Sequence, residues 1–235
     1  MSAPTRLTVL FAACLCLALG RAVPSFAQSP PAARGTAQDP AWTSDPSDTR
    51  LVLMPTARTL PHGASSLTFV DFFLPLVQFG VTDRLSIGAG TIAPIPVPSH
   101  PVVLLAKLQL YDDNRTRAAA GVVHATNLGE ASLGFAYGVV TRGTDDDSWT
   151  AGAGWMYARA EGEGGSVPVA FFGGEHRLSA HQKVIGDVLI HHDSAVANVG
   201  LRVMRHKFAA DFAALVMMNS AGPFSGATIS LGWRF

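Results

Sequence analysis

The amino-acid sequence predicts an all-β fold: a closed, antiparallel, up-and-down transmembrane β-barrel of about twelve strands, with ten as the lower bound. Three observations predict it. From about Arg50 onward the chain runs in alternating segments of roughly eight to twelve residues, each closed by Gly, Asp, Asn or Ser. Past the N-terminal apolar stretch, no run reaches the roughly 18 residues that a spanning helix needs, so any membrane crossing must be made by strands. The chain is 48% hydrophobic and only 14% charged, against roughly 25% charged in an ordinary soluble domain.

Taken in order, residues 1–27 read as a cleaved secretory signal. Arg6 supplies the positive start, Leu7 to Leu19 the apolar core, and Ser25-Phe26-Ala27 a small-x-small cleavage site. Cys14 and Cys16 are the only cysteines and both fall inside it, which leaves the remainder without a disulfide or a thiolate metal site. Residues 28–49 are rich in Pro, Ala, Ser and Asp with no hydrophobic period, and read as a flexible periplasmic leader. Residues 50–235 read as the barrel.

Its strands are expected near 65–72, 75–81, 85–92, 102–111, 116–125, 131–141, 148–158, 167–176, 183–191, 195–204, 208–218 and 225–235. The stretch around Pro75 could instead be one long bent strand, with Leu51–Met54 then serving as the first. Either way the count is even, which puts both barrel ends on the periplasmic side.

The alternation sorts each strand into two faces. Leu85, Ile87 and Ala89 oppose Ser86, Gly88 and Gly90, and Leu104, Ala106, Leu108 and Leu110 oppose Lys107 and Gln109. Leu133, Phe135, Tyr137 and Val139 oppose Ser132, Gly134, Ala136 and Gly138, while Val184, Val188 and Ile190 oppose Asp187 and His191. The apolar set is expected outside, because the second set is mostly small residues with scattered charges rather than the Lys and Glu of a water-facing sheet. Trp149, Phe208, Trp233 and Phe235 then fall at one level as a periplasmic aromatic girdle, with Trp155 and Tyr157 near the opposite rim.

The last ten residues, GATISLGWRF, place Ala227, Ile229, Leu231, Trp233 and Phe235 on one face. An alternating strand that stops on Phe resembles the assembly signal of Gram-negative outer-membrane β-barrels. The stretch LVLMPTARTLPHG (Leu51 to Gly63), followed by FGVTDRLSIGAG (Phe79 to Gly90), resembles uncharacterised outer-membrane barrel proteins with a TxRTLPxG motif before the first strand and a GxTDR turn between two early ones. The likeness covers roughly residues 50–92 and the C-terminal strand. It implies an outer-membrane barrel and no catalytic or binding residue. In the residues themselves, Thr82-Asp83 starts a tight turn, and Pro61 with Gly63 breaks the chain before strand one.

Chemistry-bearing side chains on the expected inner face are Lys107, Gln109, His124, Glu175, Asp187, His191, Asn198, Arg202, Asp211 and Arg234. A two-residue turn at His206-Lys207 pairs Arg205 with Phe208 and sets Arg202 opposite Asp211, with Arg234 diagonal to it on the next strand. We expect Arg202, Asp211 and Arg234 to form a low lumenal charge cluster that braces the wall, since buried ions need partners. His192-Asp193-Ser194 resembles the His-x-Ser of outer-membrane lipid A deacylases, but no orienting carboxylate follows the pattern of a triad. Asp145-Asp146-Asp147 reads as a solvated turn without calcium-loop spacing. GEGGS from Gly162 has no following helix to cradle phosphate. No catalytic residue, metal or cofactor is assigned.

The expected function is therefore that of an integral outer-membrane barrel, a narrow pore or transport-type or structural barrel, and not an enzyme. Alternatives are an outer-leaflet lipid-modifying enzyme and a secreted soluble ligand-binding barrel. The expected partners are outer-membrane lipid and lipopolysaccharide, the barrel-assembly machinery and an unidentified small solute. With a net charge of zero, nothing suggests a nucleic-acid partner, and none is expected. The many glycine, alanine and serine positions of the inner face leave room inside, and the proline-stiffened loop Ile92 to Pro101 is placed at the outer mouth.

Overall fold

Period-two alternation closed by turn residues yields twelve antiparallel strands, running from β1 (Ser65–Val70), β2 (Leu74–Thr82), β3 (Leu85–Thr91) and β4 (Val102–Asp112) through β5 (Thr116–Leu128), β6 (Ala131–Gly143), β7 (Asp147–Ala160) and β8 (Glu163–Ser179) to β9 (Gln182–His191), β10 (Ser194–Arg205), β11 (Phe208–Asn219) and β12 (Gly222–Arg234). Each pairs with the next in sequence, and β1 pairs with β12 to close the barrel. The computed structural model describes residues 45–91, 101–128, 131–160, 163–220 and 222–235, all within one unit, Asp39–Phe235. The signal at 1–27, leader residues 28–44, the loop residues 92–100 and Gly162 lie outside the described residues.

An even strand count brings the start of β1 and the end of β12 to one rim, here called the terminal end. Ser66 pairs with Arg234 there, and Phe235 N–H donates to Ser65 O at 2.8 Å. Thr82 and Asp83 bound a tight turn, in which the Thr82 hydroxyl accepts from the N–H groups of Arg84 and Leu85.

The outward face is apolar: Val77, Phe79, Ile87, Leu104, Leu108, Trp149, Phe172, Ile190 and Phe212 are all exposed. The inward face of the terminal half is polar and buried, with Ser86, Lys107, Gln109, Thr150, Glu175, Lys183, Asp187, Arg202 and Asp211. Two expectations about facing are corrected. Phe135, Tyr137 and Val139 of β6 point inward, where Tyr137 and Val139 pack with Ala57, Ala119 and Phe171. His124 points outward, because its register partners are the exposed Leu104 on one side and Gly134 on the other. The β6 error has a physical cause: the rule that apolar means outward fails where the lumen itself is apolar.

The largest departure is in front of β1. Residues 50–64 do not build the wall, and Asp45 to Thr49 are not a free leader. The whole segment is folded into the lumen, where Asp45, Ser47, Thr49, Leu51, Val52, Thr56, Ala57, Arg58 and Leu60 are buried. It turns as a small hairpin bridged at Arg50 and Pro55, with Leu51 N–H donating to Met54 O at 2.8 Å and Thr56 N–H to Thr49 O at 3.1 Å.

Candidate functional site: a stopper in the lumen

The wall holds the inserted segment by its backbone as well as by charge. Arg202, fully buried on β10, uses all five of its N–H donors. Nε and Nη2 form a fork on the two carboxylate oxygens of Asp211 at 2.7 and 3.0 Å. Nη1 reaches Asp45 at 3.0 Å and Ser47 O at 2.9 Å, and Nη2 also reaches Leu51 O at 3.0 Å. Two more cradles repeat this on other strands. Lys107 Nζ donates to Thr49 O at 2.9 Å and Thr56 O at 3.1 Å, and the Asp187 carboxylate accepts from the N–H groups of Leu53 and Met54 at 2.8 and 3.1 Å. Asn198 fixes Asp187 from the neighbouring strand at 2.7 Å.

The charges alternate in sign along a continuous chain. Arg50 lies 2.9 Å from Asp211, which holds Arg202, which shares Asp45 with Lys183 at 3.1 Å. Lys183 then meets Glu175 at 3.0 Å, and Glu175 receives Arg58 at 2.6 Å and the Ser148 hydroxyl at 2.8 Å. Burial by itself would raise the pKa of Asp45. Arg202 and Lys183 outweigh it, with the Ser47 N–H helping, and hold the carboxyl well below the usual carboxylate range. Each ion is thereby paid for by a partner, the condition under which buried charge is tolerated.

Apolar contacts add to this. Val52 packs with Ile185 and Ala213, and Leu51 and Leu60 are wholly buried; burial of each such side chain contributes about 1.5–3 kcal/mol. Two glycines of the wall make the room. A Cβ on Gly80 would sit 2.0 Å from the carbonyl oxygen of Pro61, and one on Gly232 would sit 2.5 Å from Ser47 Oγ. The two motifs of the sequence thus meet. Gly63 N–H donates to Gly80 O at 2.9 Å, His62 N–H to Asp83 at 2.9 Å, and the Thr59 hydroxyl to Asp83 O at 2.8 Å. One motif is the root of the stopper, and the other is the turn on which it seats.

The expected cluster is half found. Arg202 and Asp211 stand opposite one another, and Arg205 opposite Phe208, as the two-residue turn requires. Arg234 does not join them: it pairs with Asp48 of the inserted segment. Lys107, Glu175 and Asp187 are all lumenal and all engage that segment. Sequence reasoning missed Asp45, Asp48, Arg50 and Arg58. The signal that could have found them is Leu51-Val52-Leu53-Met54, too apolar for a solvated leader and flanked by arginines.

Of the girdle, Phe208 and Trp233 are register partners with ring centroids 4.9 Å apart, Trp149 stacks near Phe172 at 6.5 Å, and Phe235 is exposed at the same rim. Trp155 is exposed nearer the far end. Tyr157 lies over Gly134, stacked on His124 on the outer face. Asp145, Asp146 and Asp147 meet Arg58 and Arg117, Arg177, and His176 respectively. His192 pairs with Asp193 in an exposed turn, while Ser194 has His191 Nδ1 at 3.5 Å as its neighbour. Asp187, the inward carboxylate of that strand, is committed to the stopper.

No protein-family model and no curated protein matches the chain. Among solved structures, the KdgM porin in complex with disordered oligogalacturonate shares the fold, with a TM-score of 0.55 at 9% identity, covering 73% of this chain and 98% of that one. The N-terminal β-barrel domain of Pseudomonas aeruginosa OprF aligns over 75% of this chain and 100% of that one at 12% identity, with a TM-score of 0.24 that adds nothing to the fold assignment.

Proposed function

We propose that the chain is an integral outer-membrane β-barrel of the pore or transport type, shut by its own residues 45–64. The observation that carries the reading is a closed twelve-strand wall, apolar outside, whose terminal half is filled by a segment bound through buried charges and backbone hydrogen bonds. A wall of this strand number encloses more than its own side chains can fill, and here the inserted segment takes up the space. A barrel needed only as a structural anchor would have no use for a stopper held by cations reaching its backbone carbonyls.

In this reading residues 1–27 are the export signal, the terminal end faces the periplasm, and the outward band contacts outer-membrane lipid and lipopolysaccharide. The C-terminal strand is the handle for the assembly machinery. The reading assigns no catalytic role to Ser194, which meets His191 Nδ1 at 3.5 Å, the limit of hydrogen bonding, while among the described residues no carboxylate is paired with that histidine. The oligogalacturonate of the KdgM porin is that protein's ligand; in this lumen Arg202, Lys183 and Arg58 are occupied by the stopper and its partners.

Planar-bilayer conductance tests the proposal. The full-length barrel is expected to be silent or nearly so, and a variant lacking residues 45–60 to conduct, with folding of both checked by heat-modifiable migration on gels. Equal conductance from the two would contradict the stopper, and a silent, folded deletion variant would contradict the pore.

A further inference from the structure

We propose that the far half of the lumen is a binding cup for small, neutral, apolar molecules, which enter it sideways from the membrane through a notch in the wall above β1. The inference rests on the reading of a stoppered membrane barrel and names the class of molecule that reading leaves open.

Above the stopper the inner face changes character. Leu105, Val123, Phe135, Tyr137 and the hairpin tip Leu53-Met54 form the apolar side of an open cavity of about 150 Å³, whose polar side is Thr49, Arg50, Gln78 and Lys107; an apolar cavity of that size elsewhere takes up a benzene-sized molecule. Leu53, at 36%, is among the exposed large apolar side chains, and it sits at the floor of this space. A stopper that only had to keep water-soluble solutes out would gain nothing from an apolar tip there.

The cations that border the cavity are already engaged. Lys107 holds the carbonyls of Thr49 and Thr56; Arg50 holds those of Leu51 and Val52 and lies beside Asp211. An anionic ligand would have to break these contacts, whereas a neutral one would not. Pockets of this kind bind by apolar burial, with a few polar groups such as Gln78 setting orientation.

The wall is uneven in height. The six residues of β1 rise only about 15 Å at roughly 3.3 Å each and 40° of tilt, against an apolar band about 25 Å tall. Pairing of β12 with β1 stops at Ser230 opposite Val70, and Asp71 ends the ladder by exchanging hydrogen bonds with Ile229. Beyond it β12 continues to Gly222 with β11 on one side, and among the described residues no strand pairs with the other. Pro223 to Ala227 are exposed along this edge. An open edge at this depth is tolerated where it lines a cavity, and Pro223 brings no N–H that would need a partner. Leu74 and Leu76 of β2 face inward beside the top of β1, opposite Val70 and Thr68, and Phe72 and Phe73 are exposed in the turn that joins the two strands.

The test uses the full-length chain in nanodiscs of deuterated lipid, with methyl-labelled Leu, Val and Met, titrated with toluene and separately with benzoate. The methyl shifts of Met54, Leu105 and Val123 are expected to saturate with toluene and not with benzoate, while the outward Leu104 and Leu108 respond linearly. Val123→Trp, which fills the cup, is expected to weaken the saturable response at least tenfold. An NOE between the Met54 methyl and the Tyr137 ring reports independently that the stopper is seated. A linear response throughout with that NOE present overturns the cup alone; its absence overturns the stopper and the cup with it; saturation by benzoate overturns the neutral class. Lipid carrying a nitroxide at mid-chain is expected to broaden Leu74 and Leu76 more than Leu189 across the lumen. Equal broadening overturns sideways entry.

Discussion

Arg202 shows how one side chain can join a wall to a stopper. Fully buried and fully hydrogen-bonded, it is the meeting point of the Asp211 pair and the inserted backbone. Asp211→Ala strips the partner and leaves a buried guanidinium under-compensated, which should cost about 3–5 kcal/mol; a clearly lower temperature of the heat-modifiable transition would register it. Asp45 adds a pH dependence. Its pKa is lower folded than unfolded, so its contribution is complete above the ordinary value of about 3.9 and fades as pH falls below that toward the folded value. Protease access to residues 45–64 should therefore rise below about pH 4, and Asp45→Asn should be looser at neutral pH and lose this component of the acid response. The Arg202–Asp211 pair was legible because a two-residue turn sets the register of its hairpin. The partner of Arg234 was not, since Asp48 belongs to a segment whose polar composition gives no period to place it.

At the scale of elements, the strands were read from the sequence to within a few residues, because Gly, Asp, Asn and Ser close most of the alternating runs where a turn must form. Which face looks inward was harder. On β6 and at His124 alternation separates two faces without saying which is lumenal, and only cross-strand register decides it. The inserted hairpin escaped for a related reason. Its buried residues satisfy their backbone groups on Lys107, Asp187 and Arg202, partners far away in sequence. Gly80 tests this element directly: Gly80→Val would drive a side chain into the Pro61 carbonyl, so the root of the stopper should lift while the strands remain paired. Conductance should rise toward that of the deletion variant, and an unchanged silent barrel would count against the seat.

At the scale of the whole molecule, the barrel interior changes chemistry along its height. The terminal half is polar and occupied by residues 45–64, and at the hairpin tip Leu53 and Met54 meet the apolar side chains of Leu105, Val123, Phe135 and Tyr137. Residues 45–64 are tied to the wall by buried ion pairs along their length, so under the proposed function opening would require the segment to move as a unit. Its position can be measured by a cross-link. The Cβ of a residue at 232 would lie 3.9 Å from the Cβ of Ser47, inside the roughly 3.5–4.5 Å window of a disulfide. The double variant Ser47→Cys, Gly232→Cys should close that bond on oxidation in the folded barrel, stay silent in a bilayer, and release any mobility of the segment only on reduction. Two thiols that remain free and react with maleimide in the folded, oxidised protein would show that residues 45–64 do not sit in the lumen.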